Sequence, residues 1–154
     1  MAKQEETKQE ESTQHFEIQR IYVKDASLES PESPKIFLEQ WEPETHVDLH
    51  VGHEDLKNKL YEVVLRLTVT VKHKEKSVMI AEVKQAAIFH IEGFNEEQME
   101  HMLRAYCPNI LFPYGREVIA ALSNRATFPP INLAPINFDA LYMQQKEQEA
   151  KEKS

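Results

Sequence analysis

The sequence predicts an α+β fold in which helices cover one face of an antiparallel sheet. Two observations carry this: apolar residues alternate with period two up to about residue 91, and helix-type spacing with cap residues takes over beyond it. A third is the length of 154 residues, which suits one domain with a real core and not two.

The first strand is read over Phe16 to Val23. Its β-formers fall on both parities, Phe16, Ile18 and Tyr22 on one and Ile21 and Val23 on the other, which predicts a strand covered on both faces. From Asp25 to Pro43 three prolines and many acids predict a long connection, yet it carries Ile36, Phe37, Leu38 and Trp41. Four large apolar side chains must pack somewhere, so the connection is expected to lie over apolar surface and wall a groove. Val47, Leu49 and Val51 mark a second strand. The clearest strand alternates Tyr61, Val63, Leu65, Leu67, Val69 and Val71 with mostly polar residues; a turn at 73–76 then returns the chain antiparallel over Val78 to Ile91.

Asn95 followed by Glu96 and Glu97 predicts a helix start, and that helix should end before Pro108. A second helix is expected from about Pro113 to Ala126 with Tyr114, Val118 and Leu122 on one stripe. A third is capped by Asn137, after an extended, proline-stiffened TFPPINLAPI linker. Residues 1–14 read as a disordered acidic tail. Residues 144–154 are polar good helix formers that can extend the last helix and fray. The domain is thus expected over 15–143.

Composition narrows the function. No window approaches the roughly 18 consecutive apolar residues of a membrane-spanning helix, and the 41% hydrophobic and 29% charged content is that of a globular domain. The formal charge of −8 argues against nucleic acid or an anionic membrane as partner. The acids are concentrated: residues 15–55 hold three Lys/Arg against ten Asp/Glu, whereas 57–91 hold seven against three. Such an acidic half can steer a basic partner. The polar start has no secretory signal and Cys107 is the lone cysteine, which together predict a reducing cytosol.

Catalytic patterns are sparse. Three glycines form no phosphate-binding loop, and no serine sits in a nucleophile elbow. Cys107 with His101 or His90 as base is the remaining enzymatic reading, and a small buried hydrophobe is the better one. His46, Asp48, His50 and His53 have a spacing that could meet a metal on a strand, but they match no known zinc pattern, so neither metal nor cofactor is expected. In the strand from Val78, one parity offers Met79, Ala81, Val83 and Gln85 for close packing, and the other places Val78 and Ile80 beside Glu82. Apolar groups rimmed by charge make a protein contact; the plainer alternative is that helices cover one face and a partner subunit the other.

The runs IQRIYVKD (18–25), YEVVLRLTVT (61–70), AYCPNILFPYGRE (105–117) and NLAPINFDALYM (132–143) closely resemble the SecB family of bacterial protein-export chaperones, across about residues 15–143. The resemblance implies a four-stranded antiparallel sheet, a homotetrameric dimer of dimers, and binding of unfolded preproteins without ATP or cofactor before delivery to the SecA motor. It places the SecA contacts at Asp25, Glu29, Ile80 and Glu82, which would receive SecA's basic, zinc-carrying C-terminal tail. It places a client groove between the long connection and the last helix, lined by Phe37, Trp41, Leu141 and Tyr142. It assigns assembly to Met79, Ala81, Val83 and Gln85 and to the helix carrying Tyr114, Val118 and Leu122. Ala81 stands where the family often has Cys, and Ala86 and Ala87 where it has Gly. A SecB-like chaperone of a toxin–antitoxin pair is the alternative within the same class.

Overall fold

The computed structural model describes residues 13–153; the tail expected over 1–14 lies outside them except for Thr13 and Gln14. Four antiparallel strands, β1 (His15–Glu29), β2 (Glu44–Lys57), β3 (Leu60–His73) and β4 (Lys76–Glu92), form one sheet in the order β1-β4-β3-β2. The expected hairpin is β3–β4. Lys74 and Glu75 turn it with φ of 47° and 67°, the left-handed pair that matches the twist of two-residue hairpins. Val63, Leu65, Leu67, Val69 and Val71 on β3 and Met79, Ala81, Val83, Phe89 and Ile91 on β4 are buried together as the core.

β1 departs from the expectation in length and in pairing. It runs on to Glu29, so the connection to β2 is only residues 30–43, held by a 3₁₀ turn at Lys35–Leu38 whose Ile36 is buried. Its apolar residues occupy both parities because two bulges reset the register, between Ile18 and Arg20 and between Val23 and Asp25. Phe16, Ile18, Ile21, Val23, Ala26 and Leu28 consequently pair with Ile91, Phe89, Ala87, Gln85, Val83 and Ala81 and all share one face. The strand is apolar on one side, not covered on two.

A single helical run lies on that face: α1 (Glu96–His101), a π turn (Met102–Tyr106) and α2 (Cys107–Arg125). Asn95 caps it, accepting from the Gln98 amide while the Gln98 side chain accepts from the Asn95 amide. The run was expected to break at Pro108 and does not. The π turn widens the helix just where the proline ring would clash with the carbonyl four residues back, and Pro113 is absorbed one turn later. α2 approaches the sheet closely because Gly115 is buried against it: a Cβ there would meet Leu67 Cδ1 at 3.0 Å and Val83 Cγ1 at 3.7 Å.

One helix about 10 Å wide cannot cover four strands whose outer axes lie about 14 Å apart. Ile18, Val23 and Val47 on the edge strands stay exposed, as does Tyr114 on α2 at 50%. The assembly set therefore divides. Met79, Ala81 and Val83 are fully buried and Gln85 is 3% exposed in the chain's own core, so a partner subunit cannot touch their side chains while the helix layer is in place. Tyr114, Val118 and Leu122 keep surface to offer.

α3 (Phe138–Glu152) is capped by Asn137, whose side chain accepts from the Ala140 amide, and it continues through the polar stretch to Glu152. Arg104 in the π turn holds it: the guanidinium donates to Glu100 at 2.8 Å on its own helix and to Gln145 at 3.1 Å and Glu149 at 2.9 Å on α3. It also lies 5.2 Å from the Tyr142 ring.

Candidate functional site

The sheet face opposite the helices carries an acidic cluster that the second β1 bulge assembles. Had β1 alternated strictly beyond Tyr22, Lys24, Ala26 and Leu28 would face this side. The bulge presents Asp25, Ser27 and Glu29 instead, opposite Lys84, Glu82 and Ile80. Cross-strand partners share a face, so the structure brings Asp25, Glu29, Ile80 and Glu82 together on neighbouring rungs. Glu82 accepts a hydrogen bond from Thr68 Oγ1 at 3.0 Å, which fixes its carboxylate on the middle of the sheet. Asp25 and Glu29 are exposed on the edge strand, and Ile80 is half-buried between the acids and Thr70.

Further along the same face Glu62 accepts from the Tyr22 hydroxyl and, at 2.7 Å, from Lys24 Nζ. Burial and the Glu62 hydrogen bond push the Tyr22 phenol up to about 12. Burial acts to raise the Glu62 pKa, but the hydrogen bonds from Lys24 and Tyr22 outweigh it and hold the carboxyl below its ordinary value. A depressed folded-state pKa means that ionised Glu62 stabilises the fold above the unfolded-state value of about 4.3 and that the contribution fades as pH falls. Glu62→Gln is therefore expected to flatten the acid limb of the stability curve, seen as a Tm difference from wild type that shrinks between pH 6 and about pH 3. An unchanged Tm gap across that range would refute it.

The client-groove residues do not form one groove. Phe37 and Trp41 both pack on Phe128, with ring centroids 5.5 and 5.9 Å away, and Trp41 also meets His73 edge-on at 6.1 Å. Trp41 is half-buried and walls an open depression of about 380 Å³ with Pro43, Val71, Phe128, Pro130 and Leu133. Tyr142 is buried and lines another, of about 520 Å³, with Phe94, His101, Met102 and Met143. Leu141 lines neither. The expected pairing of connection and last helix is thus corrected: α3 packs on the π turn through Tyr142 and Arg104, and the segment after α2 supplies the second wall to Trp41. The segment expected as a linker is thus a groove wall, and its sequence signal is an aromatic directly before two prolines, Phe128-Pro129-Pro130.

Cys107 is fully buried, and desolvation pushes its thiol up to about 12, which keeps it protonated at neutral pH. His101 meets Asp139 at 2.6 Å rather than the thiol. His46, Asp48 and His50 share the open face of β2, and His53 pairs with Val63 on the core side. Among the described residues these four do not gather within a metal's reach of one another, and His53 faces the opposite side of the strand from the other three.

Residues 9–149 match the family described as preprotein translocase subunit SecB. The chain belongs to the SecB family. It is a chaperone by that membership, and among the described residues no helix is long and apolar enough to cross a membrane. Among solved structures, this SecB-family fold is similar to a Mycobacterium tuberculosis SecB-like chaperone in complex with a ChAD peptide from the HigA1 antitoxin. The TM-score is 0.66 at 17% identity, over 79% of this chain and 90% of that one. A protein of unknown function from Streptococcus agalactiae matches with a TM-score of 0.41 at 11% identity, over 79% and 98% of the two chains.

Proposed function

We propose that this SecB-family protein is a cytoplasmic, ATP-independent export chaperone that holds unfolded preproteins and passes them to SecA. The observation that carries this reading is the separation of two surfaces of opposite character. The acidic rungs Asp25, Glu29 and Glu82 around Ile80 suit a basic peptide such as SecA's zinc-carrying C-terminal tail, the zinc belonging to the partner. The aromatic and proline-lined depression at Trp41 suits extended apolar chain. A holdase without ATP needs weak, tolerant sites whose multiplication supplies avidity, and a homotetramer built as a dimer of dimers provides it. The narrow helix layer supports assembly, because Ile21, Val23, Tyr114 and Val118 line an apolar depression between β1 and α2 that a second copy can fill.

Trp41 is the single tryptophan, so its emission reports one place. Saturating unfolded preprotein is expected to shift Trp41 emission to the blue, and the SecA tail peptide, added to that complex, is expected to bind without reversing the shift. Unchanged emission, or mutually exclusive binding, would remove the two-surface reading. Capture of an antitoxin segment in place of preproteins would move the protein to the toxin–antitoxin branch.

A further inference from the structure

We propose that His15, Glu17 and His90 form a binding site for a divalent transition-metal ion of the zinc class, with Glu92 as a fourth ligand. On the open face, the last two rungs of the β1–β4 ladder pair His15 with Glu92 and Glu17 with His90, with Phe16 and Ile91 pairing between them on the core side, so two His-x-Glu steps run antiparallel and all four side chains rise from the open face. One ligand atom each from His15, Glu17 and His90 lies within 4.8 Å of the others. His15 Nε2 is 3.2 Å from Glu17 Oε2, and His90 Nε2 is 3.7 Å from Glu92 Oε2. Ligands about 2.0–2.1 Å from a tetrahedral zinc are separated by about 3.3 Å, so the first pair already stands at the edge length of such a site. The His15 and His90 rings, 4.7 Å apart and tilted by 60°, direct two imidazoles to one side instead of stacking.

The donor set selects the ion. Two imidazoles with one or two carboxylates suit zinc and its first-row neighbours, whereas magnesium and calcium prefer oxygen alone. Side-chain exposures of 27% for His90 and 43–57% for the other three leave an open path for the ion and a position for water. The two imidazole–carboxylate contacts, one along β1 and one along β4, also bring the first residues of an edge strand under the ion's hold. Gly93, with φ of 83°, lets Thr13 pass within 2.6 Å of where its Cβ would be, so the bound ion would pin the entry of the chain onto the sheet just before α1. The site is independent of the acidic rungs near Ile80, at the other end of the same two strands.

Calorimetric titration of the untagged full-length protein with zinc chloride is expected to show one zinc per chain, and magnesium chloride no heat. The cobalt-substituted protein is expected to show tetrahedral visible bands. His15→Ala with His90→Ala should lower zinc affinity at least about ten-fold and abolish the bands, while His46→Ala with His50→Ala should leave both unchanged. If the double variant has a lowered Tm without metal, His90→Gln, which keeps the strand side chain long and polar, must still lose the bands. Equal zinc affinity in wild type and the His15/His90 variant, or equal binding of magnesium, would overturn the site.

Discussion

Glu82→Lys is expected to weaken binding of the SecA tail by about ten-fold or more while client binding is preserved. Glu82 sits between the edge acids Asp25 and Glu29 and the Thr68 hydroxyl, with Lys84 two residues away on the same strand. Reversing it removes one of three carboxylates and puts a second ammonium beside the first, turning an attractive patch into a mixed one. Surface charges lose much of their Coulomb energy to solvent, so a change of about 1.4 kcal/mol, or ten-fold in affinity, is the scale to expect. Anisotropy titrations with a labelled tail peptide would measure it, at low and at physiological salt, where a charge effect must differ. Equal loss of preprotein binding in a variant that assembles normally would end the division between motor docking and client capture.

Gly115→Leu is expected to cost about 3 kcal/mol of stability, the upper part of the range for overpacked cores. The position is buried in α2, and a first carbon already meets Leu67 Cδ1 at 3.0 Å, Gln85 Cβ at 3.6 Å and Val83 Cγ1 at 3.7 Å. Three further carbons have no space unless α2 lifts from β3 and β4. Gly115→Ala separates the effects, because a helix gains about 1 kcal/mol from alanine over glycine, which offsets the tight contact and leaves stability close to wild type. Thermal unfolding should show the leucine variant melting about 6–12 °C lower. A leucine variant that melts with wild type would mean that the helix does not lie where Gly115 puts it.

The β3–β4 hairpin was legible because one face is apolar from Tyr61 to Val71 in β3 and, apart from Gln85, from Met79 to Ile91 in β4, and the two strands adjoin in sequence. β1 was legible as a strand but not in its facing, since a bulge changes parity without a residue type that announces it; neither Gln19 nor Lys24 is a glycine. The same bulge hid the extension through Asp25-Ala26-Ser27-Leu28-Glu29, whose acids resemble a loop until Ala26 and Leu28 are seen to face the core. Pro108 was a sound reason to end a helix, overridden by a π turn that sequence pattern does not mark. The acidic residues could be picked out by resemblance, but their adjacency is a property of the register. The grouping of His15, Glu17, His90 and Glu92 is not legible in sequence for the opposite reason: the histidines that stand close in sequence, on β2, are spread along one strand, while those that meet in space are 75 residues apart.

The hold of Arg104 on α3 has a consequence for how the fold breathes. Only Phe138 and Tyr142 of that helix are buried, both in its first two turns, and beyond them Arg104 ties it to the body through polar contacts with Gln145 and Glu149. Segments with so little apolar burial open at a fraction of the global unfolding free energy. The end of α3 is therefore expected to open as a separate unit, its amides exchanging with solvent while those of the β3–β4 core stay protected, so that its excursions do not loosen the sheet.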